Sequence, residues 1–399
     1  MRGANLRGVP SLVCDRSMQI RAFGLALLMA CGAALLPAAD PYFLYTGTYT
    51  DKGSEGIYAW RVDGASGKSA PLGLAAASAN PTFLALHPNQ KVLYAVNETS
   101  DFEGQKSGSV SAYAVDRVSG KLKLLNRVSS HGAGPCHVAV DATGKLLAVA
   151  NYGGGNFATY PLEADGSIGK ALHVISSQGS GPNTARQEGP HGHSVNFAPD
   201  NRHMLATDLG TDSVLVSAFD AAAGSLVPGV PPRVAVRPGS GPRHLVFSRD
   251  GKYCYVINEL DSTIDAYQYD AETGNLTAMQ HVSTLPAGFS GQSTAAEIAL
   301  HPSGKFLYGS NRGHDSIAVF AVDEHNGQLS PVEIVATGGR TPRNFTLDQK
   351  GRWLFAANQN SDNITMFRIN AKTGKLTPFH SSLTVKNPVC VLLMPAEAK

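Results

Sequence analysis

Short apolar runs separated by polar turns recur along almost the whole chain. One unit repeats: an apolar strand, a polar hairpin turn, a second apolar strand, then a polar residue. Copies run from Pro81 to Asn97, turning at His87-Pro88-Asn89-Gln90-Lys91, from Pro242 to Asn258, turning at Asp250-Gly251-Lys252, and from Pro342 to Asn358, turning at Gly351-Arg352. Pro135 to Asn151, Pro190 to Asp208, and a copy that turns at His301-Pro302-Ser303-Gly304-Lys305 and ends at Asn311 complete the set. A second hairpin follows each unit. Its turns are Gly67-Lys68, Gly120-Lys121, Gly166-Ser167, Gly224-Ser225, Gly274-Asn275, Gly327-Gln328 and Gly374-Lys375, seven in all, each preceded by an alternating strand such as Ile317 to Val322. Four short strands in each repeat of about fifty residues is the spacing of a propeller blade. The pattern predicts an all-β fold, a seven-bladed β-propeller.

The two ends of the pattern predict how the ring closes. The first repeat begins at Tyr42-Phe43-Leu44-Tyr45-Thr46, which matches the second strand of the other repeats. The last segment, Pro388 to Met394, matches an opening strand and nothing more. Pairing the C-terminal strand with the N-terminal strands completes one blade and leaves no blade short of a strand.

The first forty residues break the pattern. Arg2, Arg7, Arg16 and Arg21 form a basic leader, and Ala22 to Leu36 is almost uninterruptedly apolar. The run is short for a bilayer span and ends in small residues at Pro37-Ala38-Ala39, so residues 1–39 read as an export signal, periplasmic or secreted. Leu28-Met29-Ala30-Cys31 resembles a lipobox, which makes a lipid anchor the minor alternative and an uncleaved anchor the other. Residues 40–399 form the propeller domain. Outside the leader, Cys136, Cys254 and Cys390 lack any metal-ligand spacing and read as small buried hydrophobes. Charge is nearly balanced, 33 Lys and Arg against 31 Asp and Glu, with no basic run interleaved with aromatics. Neither nucleic acid nor an acidic membrane surface is an implied partner.

Antiparallel pairing puts the start of each opening strand and the end of each second strand at the same rim of the channel. Strand starts supply Cys136-His137, His191-Gly192-His193, Arg243-His244, Glu297 and Arg343-Asn344; strand ends supply Asn97-Glu98, Asn151-Tyr152, Asp208, Asn258-Glu259, Asn311-Arg312 and Asn358-Gln359. Convergent polar groups at a concave mouth are the expected binding site. The Asn that recurs from blade to blade reads as a side-chain cap on the backbone. His87 and His301, in the His-Pro turns of the opposite rim, are expected to be solvated. His191, His193, Arg243, Glu259, Glu297, Arg312 and Arg343 break the repeat and are the functional candidates, rim ion pairs being the plain alternative.

Several strings carry a family resemblance: Tyr45-Thr46-Gly47-Thr48-Tyr49-Thr50, Gly189-Pro190-His191-Gly192-His193, Gly241-Pro242-Arg243-His244, Asn258-Glu259-Leu260, Ala296-Glu297-Ile298 and Ser310-Asn311-Arg312-Gly313-His314-Asp315-Ser316-Ile317. Over Asp40 to Lys399 the chain resembles the seven-bladed propeller lactonases of the 6-phosphogluconolactonase type, a family that includes carboxy-cis,cis-muconate cyclase. The resemblance implies a sugar-lactone hydrolase with no cofactor and no metal, acting on a small lactone or carboxylate. By position it implicates His193 (or its neighbour His191), Arg243, Glu259 and Arg312 as the active constellation; His191, His244, Glu297 and Arg343 are the substrate-binding candidates. His193 or Glu259 is the candidate base, and Arg243 and Arg312 the candidate anion and oxyanion holders. Two alternatives stand beside hydrolysis: a lactonising cycloisomerase using the same groups, and a non-catalytic exported propeller that binds a ligand or partner at this rim. The leader departs from a cytosolic sugar-phosphate enzyme and brings unphosphorylated lactones into view.

Overall fold

The computed structural model describes residues 40–397; the leader expected over residues 1–39 lies outside them. The described chain folds into seven four-stranded antiparallel sheets, the blades. Blades are numbered here in chain order, and strands A to D from the first strand outward. Strand A is Phe83–Leu86 in blade 2, Pro135–Val140 in blade 3, Gly192–Phe197 in blade 4, Pro242–Phe247 in blade 5, Thr294–Leu300 in blade 6 and Pro342–Leu347 in blade 7. Blade 1 takes its strand A from the far end of the chain: Pro388–Pro395 pairs with Pro41–Thr48, with Tyr42 opposite Pro395 and Gly47 opposite Cys390. Each strand A touches the strand A of both neighbouring blades, which closes them into a ring around the axis. The expected closure is therefore the observed one.

Burial explains the sequence pattern. The B strands Val92–Asn97, Leu146–Asn151 and Trp353–Asn358 are buried at every position, because each is covered by a neighbouring blade on either face. They read as unbroken apolar runs for that reason. The D strand Leu122–Ser129 is mostly exposed or half-buried and reads as mixed. Apolar clusters lie between blades: Tyr94 and Val96 of blade 2 pack with Val138, Val149 and Tyr160 of blade 3. The seam at the closing blade is of the same kind, joining Trp353 and Phe355 to Leu44, Trp60 and Leu393.

Directed ties reinforce these clusters. A B-strand tyrosine donates to the glycine carbonyl of the C–D turn in the next blade: Tyr45 to Gly120 (3.1 Å), Tyr94 to Gly166 (2.8 Å), Tyr255 to Gly327 (3.0 Å) and Tyr308 to Gly374 (2.9 Å). Trp353 Nε1 makes the matching bond to Gly64 at the closing seam (2.8 Å). The glycine is required twice over: Gly374 has φ +71°, and a Cβ there would lie 2.4 Å from the Phe306 ring. The recurring Asn ties blades as well. Asn97, Asn151 and Asn311 donate to the carbonyls of Ala79, Ser130 and Thr284, in the segments that leave the preceding blades. In blades 5 and 7 the same amide instead meets Asp265 and Thr365 side chains.

The histidines of the lower turns correct an expectation. His301 is buried, not solvated, and its Nε2 bonds the Gly351 carbonyl at 2.9 Å. His87 is half-buried and makes the equivalent bond to Gly144 at 3.0 Å. Both rings lie against a turn glycine of the next blade, so they latch blades together. Cys136, Cys254 and Cys390 are buried and unpaired.

Candidate active site

A β-bulge shapes the start of most A strands. The register slips by one residue between Pro135 and His137, Gly192 and Ser194, Pro242 and His244, Ala295 and Ile298, and Pro342 and Asn344. The residues left unpaired include Cys136, His193, Arg243, Arg343 and Glu297. A bulge frees a side chain from the alternation of the strand and re-aims it. Five blades use that device to turn a chemical group inward at one end of the channel.

Glu259, at the end of the B strand of blade 5, is the electrostatic hub. Its Oε2 meets Arg312 Nη2 at 2.8 Å and Arg243 Nε at 3.1 Å, and its Oε1 meets Arg186 Nη2 at 2.6 Å. Burial alone would raise its pKa, but the charges of Arg312 and Arg243 and the Arg186 hydrogen bond win, and the carboxyl is held far below the usual range. Arg243 is itself buried; burial first, and then repulsion from Arg312 and Arg343, bring its pKa down to about 10. Its Nη1 bonds the Ala296 carbonyl (2.7 Å) and His244 Nε2 (3.2 Å).

His193 stands beside this hub, with Nε2 3.7 Å from Glu259 Oε2 and Nδ1 3.8 Å from Cys136 Sγ. Cys136 Sγ also lies 3.3 Å from the His193 carbonyl oxygen. Burial pushes this thiol up to about 12, so it keeps its proton. The ring thus turns Nδ1 to the thiol and Nε2 to the Glu259 carboxylate. Burial, reinforced by the Arg243 charge, holds His193 well below the usual imidazole range, so the ring is neutral.

The opposite wall is Glu98, Tyr49 and Arg343. The Tyr49 hydroxyl donates to Glu98 (2.7 Å), and Arg343 lies over the Tyr49 ring and 4.0 Å from Glu98. Between the walls is a cavity of about 300 Å³, lined also by Tyr152 and Thr294. Among the described residues, no three His, Cys, Asp or Glu side chains are grouped as metal ligands.

His193, Glu259, Arg312 and Arg343 line this cavity; four other candidates do not. Arg243 lies beneath it. His244 and Glu297 are buried deeper, bonded to each other at 3.0 Å. His191 stacks on Tyr152 with both ring nitrogens engaged, on the Tyr152 carbonyl and on Glu188. Of the substrate-binding candidates, His191, His244 and Glu297 have their polar atoms turned toward protein groups, and Arg343 lines the cavity. Sequence reasoning missed Arg186 and Thr294. Arg186 sits in the segment between strands His173–Ser176 and Gly192–Phe197. Buried Gln187 pins that segment through the Leu209 carbonyl (2.9 Å). The available signal was the length of the segment, which interrupts the blade spacing.

The fold and site define a class: a closed seven-bladed β-propeller with an arginine-walled cavity at one mouth of its channel. The chain belongs to the lactonase family of seven-bladed β-propellers, whose sequence model, described as "Lactonase, 7-bladed beta-propeller", matches residues 43–393. It is 38% identical over 304 residues to a 6-phosphogluconolactonase of Bacillus subtilis, covering 76% of this chain and 84% of that protein. A 6-phosphogluconolactonase of Formosa agariphila is 36% identical over 306 residues, covering 76% and 85%. The solved structure of the Pseudomonas aeruginosa periplasmic gluconolactonase PpgL superimposes with a TM-score of 0.83 at 34% identity, covering 90% of this chain and all of that one.

Proposed function

We propose that this protein hydrolyses an anionic sugar lactone in the axial cavity, without a metal ion and after export. The observation that carries the reading is the charge of the cavity. Arg186, Arg312 and Arg343 on its wall face Glu98 and Glu259, a surplus of one positive charge beside a neutral imidazole, and Arg243 beneath them adds a charge that buried Glu297 offsets in part. Such a surplus suits a phosphate or carboxylate on the substrate. His193 Nε2 takes the proton from a water as the water oxygen attacks the lactone carbonyl carbon. Arg312, with Arg243 behind it, stabilises the oxyanion. The ring C–O bond then breaks, and His193 returns the proton to the departing oxygen. Glu259, pinned by three guanidiniums, orients them and is not the base. The relatives named 6-phosphogluconolactonase support hydrolysis over cyclisation. The relative named periplasmic supports export by residues 1–39.

The test is lactone hydrolysis by the purified protein with chelator present, on 6-phosphogluconolactone and on gluconolactone, each corrected for spontaneous opening. Chelator is expected to leave the rate unchanged, and the phosphorylated lactone to show the lower KM. His193→Gln is expected to lower kcat about 10²–10⁴-fold, the usual worth of a general base. Turnover at the wild-type rate in that variant would remove His193 from the mechanism.

A further inference from the structure

We propose that Glu297, with Asn344, is a positioning residue that fixes the proton on His244 and through it the orientation of Arg243. The kinetic consequence rests on the lactonase reading; the hydrogen-bond arrangement does not.

Guanidinium nitrogens only donate. Arg243 Nη1 lies 3.2 Å from His244 Nε2, so Nε2 presents its lone pair. Burial, and next the Arg243 charge, hold His244 well below the usual imidazole range, so the ring is neutral and its single proton sits on Nδ1. That nitrogen lies 3.0 Å from Glu297 Oε1, which also accepts from Ile298 N at 3.0 Å. On the other side, Val391 N of the closing strand donates to Asn344 Oδ1 at 2.8 Å. The Asn344 amide is thereby oriented, and its Nδ2 donates to Glu297 Oε2. Donors therefore run inward from blade 5 and from blades 7 and 1, and all end on one carboxylate in blade 6. The mirror arrangement fails. A proton on His244 Nε2 would set two N–H groups against each other and push the guanidinium off Glu259. Held in place, Arg243 spends Nε on Glu259 and Nη1 on His244 and Ala296. Its Nη2 has no hydrogen-bond partner among the described residues and is the donor left for a ligand.

Two measurements test this. Protein carrying ¹⁵N-labelled histidine, with the His244 signals assigned by their loss in His244→Gln, is expected to show a protonated Nδ1 and a bare Nε2. That experiment needs no substrate and no altered chain at positions 297 or 344. Glu297→Gln replaces the carboxylate by an amide whose NH₂ must face a donor on one side or the other. The expected result is a kcat lower by about 10- to 100-fold, as small misplacements of a catalytic group cost, with KM little changed. Adding Asn344→Asp to Glu297→Gln moves the negative charge one residue along and matches every donor to an acceptor again, so most of the lost kcat is expected to return. A protonated Nε2 in the wild type overturns the proposal. So does a wild-type kcat in Glu297→Gln, or a double variant as slow as the single. A wild-type protein without lactonase activity counts against the proposed function instead, and the histidine spectrum then decides this proposal by itself.

Discussion

Glu259 carries its charge for the sake of its neighbours. Removing one partner of a buried ionic cluster strands the others, typically at about 3–5 kcal/mol. Glu259→Gln is expected to lose stability of that order at neutral pH in denaturant titrations, beyond any loss of activity. Because its folded pKa is depressed, the stabilisation is complete above the ordinary carboxylate range and drains away as pH falls below it. The gap between variant and wild type should therefore narrow in acid. Glu297 shifts the other way: burial pushes it up to about 7, against the pull of Arg243. The titratable groups facing it are His244 and Arg243 from blade 5, His137 from blade 3 and Cys390 from the closing strand. Its contacts from the B strand of blade 6 and from blade 7, Ser310 and Asn344, do not titrate. Protonating Glu297 withdraws the acceptor from His244, so kcat is expected to fall as pH drops through about 7 and to lose that limb in Glu297→Gln. A pH–rate profile on both proteins, corrected for spontaneous lactone opening, reads it directly.

The strands and the turns between them were legible in the sequence because burial on both faces and a fixed turn chemistry leave a repeating trace. The bulges were not. A bulge adds one residue to one strand, and nothing in the apolar pattern of Pro242 to Asn258 marks Arg243 as the residue left unpaired. For that reason the rim list could not separate the cavity wall (His193, Glu259, Arg312, Arg343) from the layer beneath it (Arg243, His244, Glu297). The tyrosine-to-glycine ties were hidden differently: each half was visible as a buried aromatic or a turn glycine, while the pairing spans two blades. They have a measurable weight. Tyr308→Phe leaves the Gly374 carbonyl without its donor and is expected to cost about 1–3 kcal/mol, the usual penalty for an orphaned buried acceptor. Gly374→Ala should cost more than Tyr308→Phe, since it adds a clash with Phe306 and a strained φ, and thermal unfolding of the two variants ranks them.

Across the molecule, the ring is sealed by ordinary strand pairing and an ordinary inter-blade core, with Leu44 opposite Leu393 and Trp353 bonded to Gly64. Deleting the chain beyond Asn387 exposes both faces of that seam, and the truncated protein is expected to lose its single cooperative unfolding transition. A melt that matches the full chain would show that the ring holds without its last strand. The closing strand reaches farther than the seam, because Val391 N is the outermost donor in the chain of contacts that ends at Glu297 and sets His244 and Arg243. During translation the strand Pro388–Pro395 leaves the ribosome after every other strand of the ring. A nascent polypeptide with six blades already complete thus has an open seam and an unset arginine on the far side of the axis. On the lactonase reading, fragments that end before Pro388 are therefore expected to be inactive rather than partly active, because the strand that closes the ring also completes the contacts behind Arg243.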